Sequence, residues 1–191
     1  MKKHIITIGG RLGSGKSSTG KLLAEKLGYQ RFSMGDLQRE YAEKLGMDFS
    51  TYSEMQKTDH SLDKKVDLYQ KEIAQIHDNF VLDSRLGWFF IPNSFKVFLD
   101  LPTEIAAGRI LTDSQNNPYR RVEVGEFEDK KTIIENMERR IDSERVRYKD
   151  LYGIENHFDN KNYDLVIKTD KYNLQEVVSQ ICIAYENWKK G

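Results

Sequence analysis

The stretch Gly10-Arg11-Leu12-Gly13-Ser14-Gly15-Lys16-Ser17 constrains this chain more than any other. It follows the apolar run His4-Ile5-Ile6-Thr7-Ile8-Gly9 and precedes an amphipathic segment ending at Gly28, the strand, loop and helix order that a phosphate-binding loop requires. Three glycines let the backbone curl until several amide N–H groups converge on one anion, and the following helix adds the positive end of its dipole. Lys16 is placed to reach the outer phosphates of a nucleotide, and the Ser17 hydroxyl to ligate magnesium. Gly10, Gly13, Ser14, Gly15, Lys16, Ser17 and Ser18 are accordingly the expected donor-binding residues. The competing reading, a glycine-rich turn with no ligand, is weakened by the strand before the loop and the helix after it.

The 191 residues fit one domain, 1–191, with room for small inserts. Lysine plus arginine and aspartate plus glutamate number 30 each, so no global field recruits nucleic acid or a membrane surface, and any anion site must be local. A single cysteine, Cys182, excludes an intramolecular disulfide, and the first apolar run is broken too early by Arg11 and Lys16 to read as a signal peptide. A reduced, cytoplasmic setting is expected. The four histidines, His4, His60, His77 and His157, are too scattered to suggest a zinc site.

Along the chain, a first helix is expected from Lys16 to Leu27 with Gly28 as a left-handed cap. Tyr29–Ser33 reads as a strand, Met34-Gly35-Asp36 as a turn with Asp36 as N-cap, and Leu37–Leu45 as a helix that Gly46 ends. A short helix follows at 49–57, then a clearer one at 61–77 whose stripe of Leu62, Val66, Tyr69, Ile73 and Ile76 reads as core, with Asp63 and its charged neighbours on a solvated face. Phe80-Val81-Leu82, ending at Asp83, and Phe95–Leu99, ending at Asp100, are short apolar strands of a parallel sheet. A helix at 103–111 leads into 112–128, where periodicity disappears and Tyr119-Arg120-Arg121 sits among acidic neighbours, a loop or lid candidate. Lys130–Tyr152 is the longest helical pattern, Gly153 its cap; 163–169 is the last strand, and Asn173 with Glu176 caps a final helix. Cys182 reads as a core residue beside that helix's apolar line.

Strands at 4–9, 29–33, 80–83, 95–100 and 163–169 alternating with helices predict an α/β sandwich, whose ligands sit outside the carboxyl ends of the strands. The phosphate loop, Ser33–Asp36 and Asp83-Ser84-Arg85 should therefore converge. Arginine placement then bears on chemistry: a donor kinase must neutralise charge on donor and acceptor phosphates alike. Arg39 and Arg85 suit an acceptor phosphate, and some of the distal group, Arg109, Arg120, Arg121, Arg139, Arg140, Arg145 and Arg147, suit a lid closing on the donor.

These residues resemble the nucleoside monophosphate kinases, and most closely the short cytidylate kinases common in archaea. The resemblance rests on Ser33-Met34-Gly35-Asp36 with Arg39-Glu40, on Val81 through Trp88, on Pro102 through Ile110, on Ser143-Glu144 with Arg147-Tyr148-Lys149 and Tyr152-Gly153-Ile154, and on Tyr163 through Ile167. It implies a P-loop three-layer α/β/α sandwich with a five-stranded parallel sheet: core 1–35, 79–111 and 153–191, a helical acceptor-binding insert at about 36–78 and a lid at about 112–150. It implies ATP- and magnesium-dependent phosphorylation of CMP and dCMP by a protein expected to be monomeric, with small nucleotides as its partners and neither nucleic acid nor membrane among them. Ser33, Gly35 and Asp36 then border the monophosphate, Arg39 and Arg85 hold its phosphate, Arg109 lies near the donor, and Arg140 and Arg147 match basic positions of the lid helix. Lys16, Arg85 and Arg140 are the expected catalytic residues, and Asp83 joins Ser17 on the metal and borders the substrate. The chain departs from the family pattern in having Asp83-Ser84 for Glu-Gly, one residue fewer between Leu86 and Trp88, a longer 112–128 stretch, and Arg11-Leu12 inside the loop. A kinase for another small acceptor, and a nucleotide-binding regulatory module that transfers nothing, are the competing readings.

Overall fold

A computed structural model describes residues 3–116 and 129–191 of the chain. Strands β1 (Ile5–Gly10), β2 (Gln30–Ser33), β3 (Phe80–Asp83), β4 (Phe95–Asp100) and β5 (Leu165–Lys168) form one sheet in the order β2-β3-β1-β4-β5, every pairing parallel. Helices α1 (Lys16–Leu27), α2 (Met34–Lys44), α3 (Phe49–Met55), α4 (His60–Ile76), α5 (Gly87–Phe90), α6 (Thr103–Asn116), α7 (Lys130–Tyr152) and α8 (Leu174–Lys190) lie between and after them. The residues fall into two compact units. One comprises Met1–Gly35, Asp67–Leu101 and Phe158–Gly191, the other Asp36–Val66 and Pro102–His157.

The first unit is the sheet with its covering helices. Buried Ile6 and Ile8 of β1, Val81 of β3 and Phe95, Val97 and Leu99 of β4 project to the face covered by α1 and α8, where Leu23, Ala24, Val178, Ile181 and Tyr185 close the core. Thr7, of opposite parity on β1, points to the other face, where its side chain meets the α5 glycine, Gly87. Both faces of β1 are therefore covered, and all six of its residues are buried, as a parallel strand requires. Cys182 is half-buried against the first core, and burial pushes its thiol pKa up, the behaviour of a packing residue.

Helix ends follow local chemistry. Gly28 and Gly153 cap α1 and α7 in the left-handed conformation, and Asn173 with Glu176 forms a reciprocal capping box at α8. Several boundaries differ from the sequence reading, among them the end of α3 at Met55 and the start of β5 at Leu165. Helix α2 starts at Met34, so Asp36 lies inside its first turn, where a carboxylate still favours the dipole, instead of capping it. Helix α6 runs on to Asn116, five residues beyond the expected end, and α5 had no sequence signal. Of the loop or lid expected over 112–128, residues 112–116 are helical, and 117–128, Arg120 and Arg121 included, lie outside the described residues.

The second unit packs α6 against α7 and has a small core of Ala42, Phe49, Tyr52 and Leu62. Asp63, assigned to a solvated face by periodicity, is 6% exposed in this unit. Ile76, assigned to the core stripe, is 76% exposed at the end of α4.

Candidate active site

The loop after β1 is shaped by three left-handed glycines, Gly10, Gly13 and Gly15 with φ of 152°, 69° and 85°. A methyl group on Gly10 would stand 2.6 Å from the Leu99 carbonyl oxygen and 2.9 Å from Ser14 Oγ, so no other residue fits there. Gly15 is the N-cap of α1 and offers no side chain to the first turn, which carries no acidic residue either, so the positive end of the helix is left for an anion. Ser14 Oγ is buried, with no hydrogen-bond partner among the described residues. Lys16 Nζ donates to the Gly10 and Arg11 carbonyl oxygens at 3.1 and 2.8 Å, which folds the ammonium back along the loop. An orphaned hydroxyl, a backbone cradle and an ammonium on one turn are the donor set of a phosphate site.

Arg11, unusual in such a loop, is held outside the cradle. Its Nε donates to Asp100 Oδ1 at 2.9 Å, its guanidinium lies 5.0 Å above the Phe158 ring, and its backbone N–H reaches the Leu99 carbonyl. The side chain thus pins the loop to the end of β4, and its carbonyl is one of the two acceptors of Lys16.

Beside the loop, the sheet register brings Asp83 opposite both Ile8 and Ser33, at the carboxyl ends of three adjacent strands. Asp83 and Ser33 are both 8% exposed. Arg31 Nη2 donates to Ser17 Oγ at 2.9 Å and lies 3.7 Å from Asp83 Oδ2, so one guanidinium spans the two groups expected to hold magnesium. Those oxygens are the hard donors that magnesium selects, and a cation already lies between them, so the residues fit the metal. Among the described residues no group of three or more His, Cys, Asp or Glu side chains is placed to hold a metal ion. Sequence reading missed Arg31. Its signal was a charged residue in the interior of a predicted strand, which must find a partner when the strand is covered. Ser84, next on the strand end, donates to Gln70 Oε1 at 2.5 Å, and Arg85 follows half-buried.

Gly35, in the first turn of α2, closes a segment of the first unit; the second unit holds Asp36, Arg39, Arg109, Arg140 and Arg147. Asp36 and Arg39 pair with each other one turn apart on α2. Arg109 is half-buried on α6. Arg140 Nε donates to Glu144 Oε1 at 3.1 Å, with its guanidinium 5.6 Å from the Phe49 ring. Arg147 is committed to the interior: its Nε stands 3.1 Å from Asp63 Oδ2, with side-chain exposures of 9% and 7%. Gln56 Nε2 donates to the other Asp63 oxygen at 3.2 Å. Burial opposes charge on Arg147, but Tyr148, Asp63 and Glu144 outweigh it and hold its pKa above the ordinary value. Burial raises the Asp63 pKa more than Arg147 lowers it, and burial with the Asp63 charge pushes Tyr52 up to about 12.

Residues 5–171 match the cytidylate kinase-like family. The chain belongs to that family. As a member it is a nucleoside monophosphate kinase of the P-loop class, with the α/β fold the sheet shows. It is 34% identical to a cytidylate kinase of Methanosphaera stadtmanae over 97% of this chain and 99% of the relative, and 34% identical to one of Methanocaldococcus jannaschii over the same shares. It is also 33% identical, over 96% of its length, to 36% of an S-adenosylmethionine-dependent nucleotide dehydratase of Lacinutrix mariniflava. Among solved structures, a shikimate kinase from Bacteroides thetaiotaomicron superposes with a TM-score of 0.64 at 14% identity, covering 96% of this chain and 98% of that one. That likeness shows the shared fold.

Proposed function

We propose that this kinase transfers the γ-phosphoryl group of ATP to CMP or dCMP, giving ADP and the nucleoside diphosphate. The observation that carries the donor half is the cradle itself: left-handed glycines, the buried unpartnered Ser14 hydroxyl, and Lys16 at the carboxyl end of β1. Cytidylate kinases matching nearly the whole chain support the acceptor half.

In this reading an oxygen of the acceptor phosphate attacks the γ-phosphorus, and the bond from that phosphorus to the bridging β-phosphate oxygen breaks, with ADP as leaving group. The acceptor is already anionic, so alignment and charge neutralisation replace a strong general base. The loop N–H groups and Ser14 orient the β-phosphate, and Lys16 exchanges its loop carbonyls for the transferring oxygens. Ser17 and Asp83 would hold magnesium, which would supply neutralisation of the charge developing on the phosphates during transfer. The family pattern assigns Arg39 and Arg85 to the acceptor phosphate, with Ser33, Gly35 and Asp36 around the monophosphate, Arg109 near the donor and Arg140 as a catalytic residue among the basic positions of the lid helix. It also assigns residues 36–78 to an acceptor-binding insert and 112–150 to a lid, within one catalytic domain that acts as a monomer in the cytoplasm. Among the described residues no helix is long and apolar enough to cross a membrane.

Coupled detection of ADP release with ATP and magnesium, across CMP, dCMP, UMP, AMP and shikimate, tests the reading. Turnover should depend on CMP or dCMP. ADP release that no acceptor stimulates would refute transfer, and preference for another acceptor would refute the cytosine assignment.

A further inference from the structure

Arg31 stands within β2, where its register partner is Val81, whose side chain faces α1. Two residues on, Asp83 projects to the same face, so the strands themselves aim Arg31 and Asp83 at one place beneath the start of α1. Gly20 of α1 borders that place. A methyl group there would come to contact distance, 3.6 Å from Arg31 Nε and 3.9 Å from Asp83 Cβ, so the bare glycine leaves the helix surface open over the guanidinium. The result is the bridge from Ser17 Oγ, at 2.9 Å, toward Asp83 Oδ2, at 3.7 Å.

A guanidinium keeps its charge at every accessible pH, and its planar fork can face a hydroxyl and a carboxylate together. Here it faces the two oxygen groups that the proposed reaction assigns to a divalent cation. An ion held by both would meet a like charge within a few ångström, at a place where Asp83 is 8% exposed and water screens weakly.

We propose that Arg31 is a positioning residue that competes with the metal. In the nucleotide-free protein it holds the Ser17 hydroxyl and the Asp83 carboxylate toward each other, and it yields that position when nucleotide and metal bind. The inference rests on the reading of Ser17 and Asp83 as metal ligands. Its consequence is that Arg31 weakens divalent-cation binding to the nucleotide complex, in exchange for a site already assembled before the nucleotide arrives.

The test is Mn²⁺ binding to the intact protein with ADP, followed by electron paramagnetic resonance of free Mn²⁺, in wild type, Arg31→Gln, Arg31→Lys and Asp83→Asn. Arg31→Gln should bind Mn²⁺ at least about tenfold tighter, equivalent to about 1.4 kcal/mol. Arg31→Lys, which keeps the charge and loses the fork, should gain about threefold and serves if the glutamine variant does not fold. Asp83→Asn should bind at least about tenfold more weakly. Weakened binding in Asp83→Asn with no gain in either Arg31 variant leaves the metal assignment standing and overturns the competition. Unchanged binding in Asp83→Asn overturns the metal assignment and the competition with it. A purely structural role for Arg31 would lower the thermal midpoint of the glutamine variant without moving the Mn²⁺ affinity of the folded protein, and that result also overturns the proposal.

Discussion

Replacing Arg147 by Met removes one member of a buried ion pair, and the structure sets the size and pH dependence of the result. The guanidinium and the Asp63 carboxylate stand 3.1 Å apart with side-chain exposures of 9% and 7%, so neither can turn to water when its partner is lost. Breaking such a pair from one side costs about 3–5 kcal/mol, against about 0–1 kcal/mol for a surface pair. For a chain of this length that corresponds to about 6–20 °C in thermal midpoint. The Asp63 pKa is already raised, chiefly by burial, and losing Arg147 removes a cause that lowers it. A carboxyl group whose folded pKa exceeds its unfolded value contributes stability below the unfolded pKa and loses it as pH rises through the folded one. The deficit of Arg147→Met relative to wild type should therefore be largest at neutral pH and shrink as the medium is acidified toward that raised pKa. Asp63→Asn added to Arg147→Met removes the stranded charge and keeps an acceptor for Gln56 Nε2, so the double variant should recover at least about 1–2 kcal/mol at pH 7.5. Urea denaturation followed by circular dichroism at pH 7.5 and 5 measures both effects through the midpoint at constant slope. A loss below about 1 kcal/mol, or a deficit that grows on acidification, would refute the argument.

Lys16→Ala should lower kcat about 100- to 1,000-fold in the coupled ADP assay while leaving the circular dichroism melt near wild type, since its ammonium donates to the Gly10 and Arg11 carbonyls of its own loop; wild-type turnover would remove its assigned role. Gly10→Ala forces a methyl group to 2.6 Å from the Leu99 oxygen at a φ of 152° and should destabilise by about 2–5 kcal/mol, read by urea denaturation; a neutral result would mean that the loop can rearrange. The Thr132 backbone N–H and hydroxyl lower the Asp129 pKa at the N-terminus of α7, so this cap's contribution is present above the ordinary carboxylate pKa of 3.8 and lost as pH falls through the lowered value. Asp129→Ala should accordingly melt below wild type at pH 6 and converge with it in strong acid, and a difference that persists at pH 2 would place the effect elsewhere.

Features written by near neighbours were legible in the chain, because their physics is complete within a few residues. The bounds of α1 came from its flanking glycines, the α8 capping box from Asn173 and Glu176, and the phosphate loop from its glycine spacing and Lys16. Strands β1 and β3 were legible too, since a parallel strand covered on both faces must be continuously apolar, whereas the edge strands β2 and β5 are only partly buried. Local rules misread what tertiary packing decides. Helical periodicity put Asp63 on the solvent side, but Arg147, 84 positions later, supplies a buried counter-charge that no window around Asp63 contains.

By itself the sequence determined the chemistry of the donor end: a strand, a turn that only glycine can make at Gly10, and a lysine and hydroxyl on the first turn of a helix. Tertiary structure alone decided that Arg31 stands beside it. The order β2-β3-β1 sets Ser33, Asp83 and Ile8 in one row and turns Arg31 toward Ser17 and Asp83. Strand order and register are settled by burial summed over the whole sheet, and that sum is not written in any one segment.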